Sequence, residues 1–420
     1  MEKGKKFYLW VLGCQMNRAD AEKISHLLVS YDCQQTSDVR LADFVIIVAC
    51  SVRQKAVDRI YGRVRQLNKQ RRKKGLKLIL TGCVLADDKK KLSKYFDSII
   101  SISEINKLPK MLGLVKKQKI SRDYLCLSAL RDSDFSALVT ISNGCNNFCS
   151  YCAVPYTRGR EKSRDALSII DECRQLIGEG YKEIVLLGQN VNSYRSGDYD
   201  FPKLLKEIDD LNGDFWIRFL SSHPKDLSVS LIDVMAQGKH ITPYLHLALQ
   251  SGDDEIIRKM NRHYTAKHFL KLIESARKKI PNLSVSTDII VGFPSETKKQ
   301  FQNTVKLMEL VCFDMAYIAC YSPRPQTMAQ KMKDDVPKIE KKARENKINE
   351  ILIKGLKKNN SRYLGKVFKV LVDGHKNGFC YGKTDTSKIV CFAGDKDMIG
   401  RFVAVKIKRV EPFVLFGEML

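Results

Sequence analysis

The sequence has no long apolar stretch. Its longest uninterrupted runs, such as Phe44 to Cys50, fall far short of the roughly 20 residues that span a bilayer, which excludes a transmembrane role. The amino-terminal MEKGKKFYLW has the charge of a secretory n-region but lacks an extended apolar core and a small-residue cleavage site. Export is not expected, and the chain reads as cytoplasmic. Short-period repeats and low-complexity tracts are absent too. Acidic residues are scarce beside basic ones: 47 Asp plus Glu against 73 Lys plus Arg leave a formal charge of +26, so a polyanion is the partner to test first. With 420 residues and 44% hydrophobic content, there is material for two or three domains with ordinary cores. Thirteen cysteines in a reducing compartment are poor candidates for disulfides, which leaves metal binding, catalysis or burial for each thiol.

What is present is an alternation of strand and helix, and the expected fold class is α/β. Three apolar runs in the first quarter read as buried parallel strands: Phe7 to Leu12, Phe44 to Ala49 and Leu76 to Leu80. An open parallel α/β sheet is expected over residues 1–125. A polar stretch from Lys116 to Asp134 reads as a linker. Six further strands alternate with helices: Ala137 to Ser142, Glu183 to Leu187, Trp216 to Leu220, Tyr244 to Leu249, Leu283 to Val291 and Ala316 to Tyr321. That pattern suits a full or partial α/β barrel over residues 131–357, closed by a lysine-rich helix from about Lys338 to Lys358. Short alternating segments follow (Lys366 to Val372, Phe402 to Ile407, Phe413 to Phe416), which predict a small β-barrel over residues 358–420.

Each of the first three strands runs straight into a cysteine: Cys14, Cys50 and Cys83. One strand-helix-strand repeat separates each from the next, so all three thiols belong at the carboxyl edge of one sheet, where open α/β sheets bind ligands. Isolated cysteines would be explained by burial, since a free thiol packs like a small hydrophobe; the repeated placement argues for a shared site. The strongest chemical signal is GCNNFCSYC, in which Cys145, Cys149 and Cys152 form C-x3-C-x2-C in a loop after a strand. Three such thiolates can hold three irons of a 4Fe–4S cube and leave the fourth open to substrate. Structural zinc takes four ligands in paired spacing, and no matching second pair follows. Cys33, Cys126, Cys173, Cys312, Cys320, Cys380 and Cys391 lack mutual spacing and read as core or incidental residues.

With Tyr151 before its last cysteine, this loop resembles the radical S-adenosylmethionine superfamily. CAVPYTRGREKSR (Cys152 to Arg164), LLGQNVNSY (Leu186 to Tyr194), SSHP (Ser221 to Pro224), LHLALQSG (Leu245 to Gly252), TDIIVGFPSET (Thr287 to Thr297) and GCQMN (Gly13 to Asn17) extend the resemblance to the methylthiotransferase family. GCQMN, VPYTRGRE and LGQNVN are most similar to its MiaB-type branch, which makes 2-methylthio-isopentenyladenosine beside the anticodon of tRNA. The resemblance implies two 4Fe–4S clusters. The one on Cys145, Cys149 and Cys152 binds S-adenosylmethionine and cleaves it to a 5′-deoxyadenosyl radical. An auxiliary one on Cys14, Cys50 and Cys83 carries the sulfur. It also implies an electron donor such as a flavodoxin or ferredoxin, and a sulfur or cluster carrier. Two other branches, acting on threonylcarbamoyl-adenosine in tRNA or on a ribosomal-protein aspartate, share the clusters; a non-catalytic, zinc-stabilised RNA-binding protein is the rival from another class.

Gly188, Gln189 and Asn190, Ser222 and His223, Gln250 and Ser251, and Asp288 follow or end predicted barrel strands, the edge that carries barrel active sites. They are the candidate S-adenosylmethionine pocket. Two departures from the family pattern stand out: Ser295 where a second glycine is usual after GFP, and Asn143 where an acidic residue commonly precedes GC. The carboxyl-terminal module resembles the TRAM domain of RNA-modifying enzymes. The segment Arg63 to Lys77 holds eight Lys or Arg and no acid, which adds a second candidate phosphate contact, and delivery of one loop base into the barrel mouth is the geometry expected.

Overall fold

A computed structural model describes residues 4–50, 54–115, 121 and 123–420. Residues 116–120 and 122 of the expected linker lie outside the described residues, as do the side chains of Arg72, Lys73 and Lys74 in the basic segment. No helix among the described residues is long and apolar enough to cross a membrane.

The first sheet is parallel, and its alternating side chains explain why. Along Phe44–Cys50, Phe44, Ile46 and Val48 pack into one core, while Val45, Ile47 and Ala49 pack into another. A strand apolar on both faces must be covered on both. Helix Gln15–Val29 covers one side through Ile24, Leu27 and Leu28, and helix Gln54–Lys74 the other through Ile60, Val64 and Leu67. Two strands absent from the sequence reading, Gln34–Gln35 and Ser98–Ile99, extend the edges, where two residues leave no periodicity to detect. With them the sheet runs in the order Gln34–Gln35, Lys6–Val11, Phe44–Cys50, Lys77–Cys83, Ser98–Ile99, with neighbouring strands parallel. That order reverses direction between Lys6–Val11 and Phe44–Cys50, and such a switch point opens a crevice at the carboxyl ends of those strands.

The six expected barrel strands form two parallel triplets: Ser136–Thr140, Glu183–Leu187 and Trp216–Phe219, then Tyr244–His246, Ser284–Val291 and Met315–Cys320. Single bridges Ile217↔Ile241 and Ser222↔Leu247 join the triplets, making a partial barrel. Met16 and Ala19, on the first helix, pack against Leu138, Val185 and Leu187 of the barrel strands. The expected linker is partly a docked segment: Tyr124, Leu125 and Leu127 are buried, Lys23 Nζ donates to the Tyr124 carbonyl at 3.0 Å, and Arg131 bridges Glu22 and Glu172. Arg131 is spent on partners rather than on solvent, which composition does not reveal, while Ser128, Asp132 and Asp134 stay exposed.

Helix Lys338–Asn360 leads into a closed five-stranded barrel. Two of its strands, Phe379–Thr384 and Ile389–Ala393, were not expected from the sequence. The turn between them is seated on the larger barrel. Arg218 Nη1 donates to the Asp385 carbonyl and Ser387 Oγ at 2.7 Å, Nη2 donates to the Thr384 carbonyl at 2.8 Å, and Nε pairs with Glu183 at 2.7 Å. Arg218→Met leaves the buried Glu183 carboxylate without its cation. We expect a loss of about 3–5 kcal/mol, read from denaturant unfolding of the metal-free protein.

Candidate functional site

The strand Lys77–Cys83 runs in register with Phe44–Cys50 to the last residue, so Cys50 and Cys83 lie directly opposite each other at the carboxyl edge. Gly82 makes the approach possible: its φ is +99°, and a Cβ there would fall 2.3 Å from the Ala49 carbonyl oxygen. Cys14 caps the first helix on the neighbouring strand. Asn17 holds it: Oδ1 accepts from Cys14 N at 3.3 Å and from its Sγ at 3.4 Å, while Nδ2 donates to the Ala49 carbonyl at 3.1 Å. Burial pushes the Cys83 thiol up to about 12; the Arg158 guanidinium opposes this, and the nearby Cys50 and Cys14 add to it. The three thiols therefore share one electrostatic environment at the switch point. A strongly positive centre would favour the thiolate in such a pocket. Among the described residues, no three His, Cys, Asp or Glu side chains converge as a single metal ion requires.

The second thiol group sits in the loop after Ser136–Thr140. Gly144 has φ +89°, and a Cβ would meet the Arg160 carbonyl oxygen at 2.2 Å, so only glycine fits before Cys145. Gln189 Oε1 accepts from Gly144 N, which ties the LGQN segment to this loop. Ser150 anchors it from below, with Oγ on the Lys259 carbonyl at 2.8 Å and its own carbonyl accepting from Ala329 N at 2.7 Å. Burial pushes Cys152 up to about 12 and raises Cys145. Arg262 stands under both Cys149 and Tyr151: Nη1 donates to Cys149 Sγ at 3.5 Å and to Tyr151 Oη at 3.2 Å, and Nη2 to the Ala248 carbonyl at 2.6 Å. Again the thiols are paired with a buried cation.

The candidate pocket residues divide in two. Asn190 Oδ1, Ser222 Oγ, His223 Nε2 and Gln250 Oε1 are buried and hydrogen-bond to nothing in the chain. Buried polar atoms without partners are costly, and these four follow successive barrel strands. Ser221 and Gln250 also hold left-handed backbone, φ +69° each, the kind of strain that concentrates at functional sites. Ser251 instead serves its own loop, its Oγ lying 3.4 Å from Thr304 Oγ1 and accepting from Asp253 N at 3.3 Å. Asp288 pairs with His246 at 3.2 Å, and a Cβ on Gly188 would strike Ser142 Oγ at 2.5 Å. Ser295, at the position where glycine is usual, has φ +63°, which explains the usual preference.

His223 Nδ1 accepts from Lys225 N at 3.2 Å, so the neutral ring carries its proton on the unpartnered Nε2. Burial, then the charge of Arg262, pushes the ring down to about 2. Below about pH 6.5 the unfolded chain takes up a proton that the folded chain refuses, so stability falls as pH falls, by about 2 kcal/mol at pH 5. His223→Asn should flatten that acid limb, measured as the difference between the two unfolding-free-energy profiles of the metal-free proteins from pH 5 to 8.

A cavity of about 320 Å³ is lined by Gln15, Glu183, Arg218, Asp314, Lys388 and Phe413 among others, and by none of the six cysteines or the candidate pocket residues. It joins the residue after Cys14, the barrel wall and the carboxyl-terminal module. The residues missed from sequence are mostly arginines. Arg158, in VPYTRGRE, and Arg324 cross from the barrel to the first domain, pairing with Asp20 and Asp88 at 2.5 Å each. Arg262 carried no motif signal at all. Of the cysteines set aside, Cys33, Cys173, Cys380 and Cys391 are buried and Cys126 is exposed.

Residues 6–102 match the model of the uncharacterized protein family UPF0004, residues 139–308 that of the radical SAM superfamily and residues 361–420 that of the TRAM domain. The chain is 41% identical over 437 residues to the tRNA-2-methylthio-N(6)-dimethylallyladenosine synthase of Clostridium novyi, covering 99% of this chain and 97% of that protein. It is 40% identical to the protein of the same name from Clostridium perfringens, covering 99% and 98%. Among solved structures, the fold is similar to the radical S-adenosylmethionine methyltransferase TsrM of Kitasatospora setae, with a TM-score of 0.57, 12% identity and coverage of 78% of this chain and 74% of that one. The cobalamin-dependent radical enzyme OxsB has a TM-score of 0.52 at 10% identity, covering 83% and 56%.

Proposed function

This chain belongs to the tRNA-2-methylthio-N(6)-dimethylallyladenosine synthase family, and from that premise we propose that it replaces a C–H of isopentenyladenosine next to the anticodon of tRNA by a methylthio group. It is a radical S-adenosylmethionine enzyme, its cofactors are two 4Fe–4S clusters and S-adenosylmethionine, and its substrate is tRNA. The observation that carries the reading is that both cysteine groups stand beside a buried arginine, Cys83 beside Arg158 and Cys149 beside Arg262. When bound, the cofactors supply the electron, the radical, the sulfur and the methyl group; an aromatic C–H offers neither an acidic proton nor a leaving group to ordinary acid-base catalysis.

The protein's own task is binding and positioning. Cys145, Cys149 and Cys152 hold one cluster and Cys14, Cys50 and Cys83 the other. Asn190, Ser222, His223 and Gln250 turn their unpartnered atoms to S-adenosylmethionine, Gln189 steadies the loop through Gly144, and Ser251 and Asp288 shape the pocket wall. The division into 1–125, 131–357 and 358–420 assigns these roles to three parts, the last adding phosphate contacts to the anticodon stem-loop. An electron donor such as a flavodoxin or ferredoxin and a sulfur or cluster carrier complete the system, in the cytoplasm.

The test is an anaerobic reaction of the reconstituted protein with S-adenosylmethionine, dithionite and isopentenylated tRNA, followed by nucleoside mass spectrometry. The methylthio derivative of isopentenyladenosine is expected. A product on threonylcarbamoyl-adenosine or on a ribosomal-protein aspartate, or a colourless zinc protein with no product, would overturn the assignment.

A further inference from the structure

One side chain spans both halves of the site. Arg158 belongs to the barrel, in the helix Val154–Arg158 that follows Cys152, yet its Nε donates to Cys83 Sγ at 2.9 Å. The rest of the fork is engaged as well. Nη2 pairs with Asp20 Oδ2 at 2.5 Å, and Nη1 donates to Asn143 Oδ1 at 2.9 Å. Arg158 is 1% exposed and Asp20 is not exposed at all, so little solvent screens the charge. Tyr124 Oη donates to the other Asp20 oxygen, leaving that carboxylate shared between two donors. Asn143 matters because it is neutral. A carboxylate there would put a second negative charge on the same guanidinium.

We propose that Arg158 is a positioning residue that the radical barrel supplies to the neighbouring cluster, raising the reduction potential of the cluster on Cys14, Cys50 and Cys83 through its Nε–H···Sγ hydrogen bond to Cys83. The inference rests on that cluster assignment. Reduction adds negative charge to a cluster, and a buried cation hydrogen-bonded to a ligand sulfur stabilises the added electron; hydrogen bonds to the sulfurs and local net charge are the levers that set such potentials. The low dielectric enlarges the effect. The same bond ties the two domains at the thiol itself.

The test uses the full chain with Cys145, Cys149 and Cys152 replaced by Ala, reconstituted with iron and sulfide so that only the other cluster reports. Its midpoint potential is read by titration followed by electron paramagnetic resonance. Arg158→Gln should shift it to more negative values. Asn143→Asp, which keeps the arginine and adds a carboxylate, should shift it the same way. Asp20→Asn, which leaves the guanidinium charge unbalanced, should shift it positive. Arg324→Gln is the structural control: Arg324 pairs with Asp88 and Gln54, and its loss should lower thermal stability with the potential unchanged. If Arg158→Gln fails to fold or sheds its iron, the opposite shifts in Asn143→Asp and Asp20→Asn decide the matter. Unmoved potentials in those two, or an equal shift in Arg324→Gln, would overturn the proposal. A parent protein that takes up no iron would instead refute the cluster assignment beneath it.

Discussion

Replacing Cys145, Cys149 and Cys152 together by Ala is expected to abolish reductive cleavage of S-adenosylmethionine and to leave about half of the iron, about four atoms per chain. On the proposed assignment the loss should be complete, because these three thiols would hold the cluster that binds S-adenosylmethionine. The fold has reason to survive. The loop backbone is held by Gly144 on Gln189, by Ser150 between Lys259 and Ala329, and by Cys152 N on the Cys149 carbonyl at 2.9 Å. Truncating the thiols also removes groups that burial disfavours as thiolates. Arg262 loses one acceptor and keeps the Ala248 carbonyl, Tyr151 and Tyr264. Anaerobic incubation with dithionite, chromatography for 5′-deoxyadenosine and iron analysis are the measurements. Persistent 5′-deoxyadenosine formation in the triple variant would refute the ligand assignment.

The parts of the molecule legible in the sequence are those with strong local patterns. Phe44–Cys50 is apolar on both faces, and Glu183–Leu187 is fully buried; such runs announce themselves, and the cysteine after each strand in the first sheet follows from counting. The strand order does not. It turns on Gln34–Gln35 and Ser98–Ile99, two-residue edge strands with no period of their own, and with them comes the switch point that explains why Cys14 and Cys50 meet. The missed barrel strands of the carboxyl-terminal module, Phe379–Thr384 and Ile389–Ala393, carry Gly382 and short, glycine-bounded runs that weaken the alternation. Arg158, Arg218, Arg262 and Arg324 were invisible for a different reason. Each is a buried cation with at least one partner more than 30 residues away, and in a chain of charge +26 four more arginines carry no signal. Barrel topology puts the pocket positions at the carboxyl ends of the strands, but which of them are unsatisfied required the hydrogen-bond accounting. That accounting separates Asn190, Ser222, His223 and Gln250 from Ser251, whose hydroxyl is used within its loop.

The two thiol groups should separate by function. A variant with Cys14, Cys50 and Cys83 all changed to Ala should bind S-adenosylmethionine and cleave it under dithionite, yet form no methylthio product in tRNA. The cleavage machinery is complete without them: the Cys145, Cys149 and Cys152 loop and the unpartnered pocket atoms all lie in the barrel. What is lost is the sulfur source. The first domain should remain folded, because its cores are built from Ile24, Leu27, Ile46, Val45, Ile60 and Leu80, and the sulfur atoms lie at the sheet edge. Arg158 keeps Asp20 and Asn143 when Cys83 is gone, so the removal leaves no unpaired buried charge, and docking of the domains persists through Arg324 and Asp88. Circular dichroism and retention of about four irons check those two conditions. The decisive measurement is the ratio of methylthio nucleoside to 5′-deoxyadenosine in one anaerobic reaction, expected to fall to zero in the variant while 5′-deoxyadenosine continues to accumulate. A folded variant that still made the methylthio product would remove Cys14, Cys50 and Cys83 from the chemistry, and their convergence at the switch point would then be a matter of packing alone.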